Sequence, residues 1–193
     1  MLIGLPQMQA QSAATMNAFK QSYAQEKEGK YSDAIKTLKG VYDEKSYELN
    51  LRLGWLHYMA GRFSESTTYY QKCIEMYPMA IEPKLGFVYP AAALGSWDKV
   101  GNQYKDILAI DPNNTVVNYR VGLMNYGKKD YKSAAKYFEK VLNLYPFDYD
   151  SLLMLGWTKY FLGDSAKAKA LFNKVLLYSP DDKSAKEGLD LIK

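Results

Sequence analysis

Residues 149–182 read YDSLLMLGWTKYFLGDSAKAKALFNKVLLYSPDD. Apolar positions recur at helical spacing over 149–162, Gly163-Asp164 interrupts them, the spacing resumes over 165–178, and Pro180 closes the segment. The stretch predicts helix, tight turn, helix and stop. The same grammar returns upstream at a fixed interval, because Pro78, Pro112, Pro146 and Pro180 are each 34 residues apart. Gly54, Gly122 and Gly156 keep that period, with Val88 in the missing slot, and so do Gly61, Gly95 and Gly163, with Lys129 as the exception. Tyr70, Tyr104, Phe138 and Phe172 form an aromatic column, and Cys73, Ile107, Val141 and Val175 an aliphatic one. A period of this size means stacked helix pairs, each too small to bury its own apolar face.

Ser46, Asn114 and Asp148 stand just before first helices, where their side chains can accept from the free amides of the first turn. Gly54, Gly122 and Gly156 lie inside first helices, where glycine costs about 1 kcal/mol relative to alanine. A cost repeated at one site predicts that another helix backbone passes close to it, with Ala134 and Ala168 serving the same contact on the second helices. Gly29-Lys30-Tyr31, Ala34, Leu38 and Val41 read as the second half of an earlier unit that is two residues shorter. The units are therefore 13–46, 47–80, 81–114, 115–148 and 149–182, followed by a solvating helix over 183–193.

With these residues the chain resembles the tetratricopeptide repeat family in its bacterial form. The resemblance is carried by Leu155-Gly156 with Ala168, Phe172 and Pro180, by Val121-Gly122 with Ala134, Phe138 and Pro146, and by Leu53-Gly54 with Tyr70 and Pro78. It implies an all-α fold, a right-handed superhelical array of about five helix-turn-helix repeats with a C-terminal capping helix. Two departures stand out. Asn50, Asn118 and Leu152 occupy the place of the tryptophan usual early in the first helix, and the aromatic after the glycine falls one position late, at Tyr58, Tyr126 and Tyr160. Pro90, inside the first helix of the third unit, predicts a kink or locally opened turn, with Gly86 relieving part of the crowding.

The polar inventory narrows the function. One His and one Cys, His57 and Cys73, exclude metal clusters built on those ligands and any disulfide within one chain. No nucleophile elbow or Gly-rich phosphate loop accompanies His57, which reads as a helix-packing residue, and Cys73 reads as a buried small hydrophobe. The net charge is +4, divided as +1 over residues 1–96 and +3 over 97–193. The densest basic run, Lys128, Lys129, Lys132, Lys136 and Lys140, is broken by Asp130 and Glu139 and fits a solvated helix face, so nucleic acid is not an expected partner. No stretch approaches the roughly 20 apolar residues of a membrane span. Catalytic residues, metals and cofactors are not expected.

Residues 1–12, MLIGLPQMQAQS, resemble the last part of a secretory signal peptide, with Leu2 to Leu5 as the stump of its apolar region and cleavage near Ala10. The expectation is export to the periplasm. The alternative is a frayed N-terminus of a cytoplasmic protein.

Spacings of four and three put Leu51, Trp55 and Tyr58 on one stripe of their helix, nearly opposite Leu49, Leu53, Leu56 and Ala60. The split recurs with Leu85, Tyr89 and Ala92, then Tyr119, Leu123 and Tyr126, then Leu153, Trp157 and Tyr160. In the resembled family the first helices line an inner groove, which implies an aromatic trough of Trp55, Tyr58, Tyr89, Tyr119, Leu123, Tyr126, Trp157 and Tyr160. Inter-repeat core is the alternative place for these side chains. Arg52 and Arg120 stand at its rim, able to pair with a ligand carboxylate, or are ordinary solvated arginines. The Lys, Asn and Arg clamp with which chaperone-tail-binding members hold a carboxylate is absent. The expected function is a non-catalytic scaffold that binds an apolar or aromatic protein segment in the concave groove. The alternative is a self-associating assembly protein, a homo-oligomer formed through apolar repeat faces.

Overall fold

The computed structural model describes residues 13–192, so the expected signal-peptide remnant lies outside the described residues. These residues form helices alone, with no strand among them. The helices pair as α1 (Ala13–Lys27) with α2 (Tyr31–Lys39), α3 (Tyr47–Met59) with α4 (Phe63–Met76), α5 (Ile81–Ala93) with α6 (Trp97–Ile110), α7 (Thr115–Gly127) with α8 (Tyr131–Leu144), and α9 (Tyr149–Phe161) with α10 (Ser165–Tyr178). A last helix, α11 (Lys183–Leu191), follows. None is long and apolar enough to cross a membrane.

Local chemistry sets these boundaries. Ser46, Asn114 and Asp148 accept from the backbone amides of Leu49, Val117 and Ser151 at 3.2, 3.1 and 2.9 Å, the cap geometry expected of them. Asp130, Asp164 and Asp182 cap α8, α10 and α11 in the same way. The asparagines that replace the usual tryptophan have a local task. The buried Asn50 amide donates to the carbonyls of Glu44 and Ser46 at 2.9 and 2.7 Å, and Asn118 does the same for Pro112 and Asn114 at 3.0 and 2.9 Å. Each ties the loop before a first helix to that helix's first turn.

The glycines inside the helices admit side chains rather than backbone. A Cβ built on Gly122 would stand 2.6 Å from the Phe138 ring, and one on Gly156 would stand 2.7 Å from Phe172. One on Gly54 would stand 3.1 Å from the ring of Tyr70. The expected close backbone approach is therefore replaced by an aromatic ring from the partner helix of the same pair. The next helix contributes in two cases, because a Cβ on Gly86 would meet Tyr70 at 2.3 Å and one on Gly188 would meet Phe172 at 2.4 Å. Gly86 thus makes room for Tyr70, and α5 stays helical from Ile81 to Ala93 with Pro90 inside it and no break.

The chain divides into two compact units, Met1–Gln103 and Tyr104–Lys193. In the first, Ala34, Ile35, Leu38, Leu49, Leu53 and Leu56 join α2 to α3, and Ser66 Oγ donates to the Gly54 carbonyl at 2.7 Å to tie α4 to α3. In the second, Ala134, Ala135, Phe138 and Leu155 form one cluster, and Leu152, Ala168, Phe172, Val175 and Ala185 form another that reaches α11.

Candidate functional site

The stripe side chains have different fates in the two units. In the second, Tyr119, Leu123 and Tyr126 are half-buried against the Phe138 cluster, and Leu153, Trp157 and Tyr160 against the Phe172 cluster. Trp157 meets the Phe172 ring edge-on at 5.2 Å, and its indole N–H donates to Ser184 Oγ of α11 at 2.8 Å. These six side chains serve packing contacts within and between helix pairs. Arg120 is exposed.

In the first unit the stripe opens to solvent. Trp55 is 37% exposed and Tyr89 50%, with the half-buried Tyr58 ring between them at 5.9 and 5.8 Å. Beside Trp55 lies a cleft of about 470 Å³, lined by Phe19 and Tyr23 of α1, Glu48, Leu51, Arg52 and Trp55 of α3, Tyr70 of α4, and Glu82 and Gly86 of α5. At its floor Gly86 packs on the ring of Tyr70, which is only 4% exposed.

Arg52 does not stand at a rim. It is 7% exposed, its guanidinium is 2.5 Å from Glu26, Nε donates to Ser22 Oγ at 3.4 Å, and the guanidinium carbon lies 3.9 Å above the Tyr23 ring. Trp55 donates its indole N–H to the other Glu26 oxygen at 2.5 Å. Burial works to raise the Glu26 pKa, but the hydrogen bonds from Trp55 and Arg52 and the arginine's charge hold it below the ordinary value. The rim expectation fails because Glu26, one helix pair earlier, already supplies the carboxylate that Arg52 was expected to seek from a ligand.

Two further carboxylates line the cleft. Glu48 accepts from Ser46 Oγ at 3.0 Å, and Glu82 accepts from the Tyr47 hydroxyl at 3.3 Å. Burial foremost, then the charge of Glu82, raises the Tyr47 pKa, and burial with Cys73 and Glu82 raises that of Tyr70, so both phenols stay protonated. Neither Glu48 nor Glu82 forms an ion pair among the described residues.

His57 and Cys73 lie outside the cleft lining. His57 is 2% exposed, stacks on Tyr69 at 5.1 Å, and has no hydrogen-bond partner for either ring nitrogen among the described residues. Burial, with Lys39 nearby, lowers its pKa to about 4. Cys73 is fully buried, with Sγ 3.5 Å from the Tyr47 carbonyl oxygen, and burial pushes its thiol up to about 12, which leaves it protonated at neutral pH. No group of three or more metal-ligating side chains occurs among the described residues.

Sequence reasoning placed Trp55 and Arg52 in this region and missed Phe19, Tyr23, Glu26, Glu48, Glu82 and Gly86. Part of the signal was there. Glu48 and Glu82 are 34 residues apart, and a 32-residue offset, allowing for the shorter first unit, puts Tyr23 in the column of Trp55 and Phe19 in that of Leu51. Arg52 and Gly86 also share one column, so the alternation between a filled and an empty position was present but had no visible meaning.

Tetratricopeptide repeat models match residues 19–80 and 126–189. A crystal structure of a tetratricopeptide repeat protein from Parabacteroides merdae superposes with a TM-score of 0.80 at 20% identity, covering 94% of this chain and 73% of that one. A structure of MamA from Desulfovibrio magneticus superposes with a TM-score of 0.74 at 16% identity, covering 90% and 99%. Protein CTR9 homolog of Arabidopsis thaliana is 25% identical over 141 residues, 70% of this chain, which spans 13% of that protein's length.

Proposed function

This chain belongs to the tetratricopeptide repeat family, whose repeats make it a protein–protein interaction scaffold, and from that premise we propose that it binds a protein segment in the cleft formed by α1, α3 and α5. The observation that carries this reading is the open aromatic surface of Trp55 and Tyr89 beside a cleft of about 470 Å³. An exposed tryptophan bordering a cavity is a common anchor for a partner. Tyr119, Leu123, Tyr126, Trp157, Tyr160 and Arg120 of the second unit do not line this cleft. No catalytic step, metal or cofactor enters this reading.

The test compares two tryptophans. Partners are captured on the native chain and identified by mass spectrometry, and affinity is then measured for Trp55→Ala and Trp157→Ala. Loss of about tenfold or more for Trp55→Ala supports the assignment, since a buried anchor residue contributes roughly 1–2 kcal/mol or more. Unchanged affinity in that variant removes it.

Self-association is the second reading, favoured by a separate observation. Leu144, Tyr145, Phe147, Leu177 and Tyr178 are all exposed in the second unit, with Phe147 and Tyr178 packed at 5.6 Å. Exposed apolar side chains in this number suit a second copy. Light scattering across a concentration series decides it: a mass that stays at 22.0 kDa throughout excludes this reading. We also propose export, on the strength of Leu2 to Leu5 and Ala10, and cell fractionation of the native protein tests it.

A further inference from the structure

We infer that the cleft of α1, α3 and α5 seats a cationic side chain, arginine or lysine, of the bound protein segment; this rests on the reading above that the cleft takes such a segment.

The charges of the lining point that way. Of its three charged groups, Arg52 is already neutralised by Glu26 at 2.5 Å and covered by the Tyr23 face at 3.9 Å, so it offers little to an anion. Glu48 and Glu82 remain, held by neutral hydroxyl donors and, among the described residues, by no cation. The cleft is therefore locally acidic in a chain whose net charge is +4. A purely apolar side chain seated there would strip water from two carboxylates and give them nothing in return, which is costly. A basic side chain would pair with them.

The rest of the lining suits the same guest. Phe19, Tyr23 and Trp55 provide ring surface for an aliphatic stem, and an open ring face attracts a cation through its quadrupole. A cleft of about 470 Å³ has room for a long side chain together with part of its backbone. The sequence left Arg52 either at a rim, able to pair with a ligand carboxylate, or as an ordinary solvated arginine, beside an apolar or aromatic segment. The Glu26 pairing reverses the sign of the site.

The test uses short Ala/Ser peptides that differ only at a central residue, Arg, Lys, Leu or Glu, titrated into the full chain while the Trp55 indole N–H resonance is followed. The Arg and Lys peptides are expected to shift that resonance saturably, with the Leu and Glu peptides weaker by about tenfold. Converting Glu48→Gln and Glu82→Gln together should remove most of that preference and most of the salt dependence of binding, with the circular dichroism spectrum unchanged. If the Leu peptide shifts the Trp55 resonance with the same affinity as the Arg peptide, the cationic guest is wrong and the cleft reading stands. If no peptide moves the Trp55 resonance, both fall. Undiminished binding of the Arg peptide by the double variant also overturns the inference.

Discussion

Lys129 has φ of 60°, in the left-handed region, at the position of the repeat where Gly61, Gly95 and Gly163 have φ of 72°, 70° and 78°. The turn between paired helices demands that conformation, and a Cβ there costs roughly 1–2 kcal/mol. Lys129→Gly relieves the strain but adds freedom to the unfolded chain. The net expectation is a gain of up to about 1 kcal/mol in urea unfolding, and a loss of stability would contradict it. His57 makes a different prediction. Its folded pKa of about 4 lies below the unfolded value of 6.5, so the unfolded chain binds a proton first as pH falls. Stability from this group is complete well above pH 6.5 and declines as pH drops through 4, by about 3 kcal/mol in total. His57→Leu keeps the apolar contact with Tyr69 and removes the ionisation. The stability difference between the two proteins should therefore change across that window, and a constant difference would show that the ring does not titrate as described.

At the scale of the element, α11 illustrates how a short helix is held. It has nine residues, too few to be stable alone, and depends on its start. Asp182 accepts from the Ala185 amide at 2.7 Å and from the Tyr149 hydroxyl, which joins the cap to the first turn of α9. That bond, with burial and the charge of Asp182 beside it, raises the Tyr149 pKa to about 12. Asp182→Ala loses both bonds and should cost about 1–2 kcal/mol. Amide exchange is expected to accelerate throughout α11. Protection in α11 equal to that of the parent protein would mean that the Gly188 contact with Phe172 holds the helix without its cap. Other element-scale features were legible early: the caps Ser46, Asn114 and Asp148, the break at Gly163 and the helix limits all depend on neighbours within a few residues.

For the molecule as a whole, stability in a repeat array is a sum of unit terms and nearest-neighbour interfaces. Tyr70 is the sharpest probe, because its buried ring lies between Gly54 and Gly86 and so joins two successive helix pairs. Tyr70→Ala should cost about 3–5 kcal/mol, read as lost amide protection across α3, α4 and α5. Protection in α9 and α10 should be unchanged. An equal loss throughout the chain would mean that the two compact units, Met1–Gln103 and Tyr104–Lys193, unfold as one.

The sequence by itself determined the repeat, the pairing of helices and the columns that fill each core, because a 34-residue period and helical spacing report on every unit at once. It also placed His57 and Cys73 as packing residues. Tertiary structure alone decided which aromatic stripe stays open. Trp157 and Trp55 occupy equivalent positions, yet Ser184 of the following helix takes the indole N–H of the first and Glu26 of the preceding pair takes that of the second. The sign of the cleft was decided in the same way, by Glu26 reaching Arg52 across 26 residues of chain. Periodicity describes what units share, whereas the candidate site arises where one unit differs from its neighbour, in lateral contacts that no local pattern encodes.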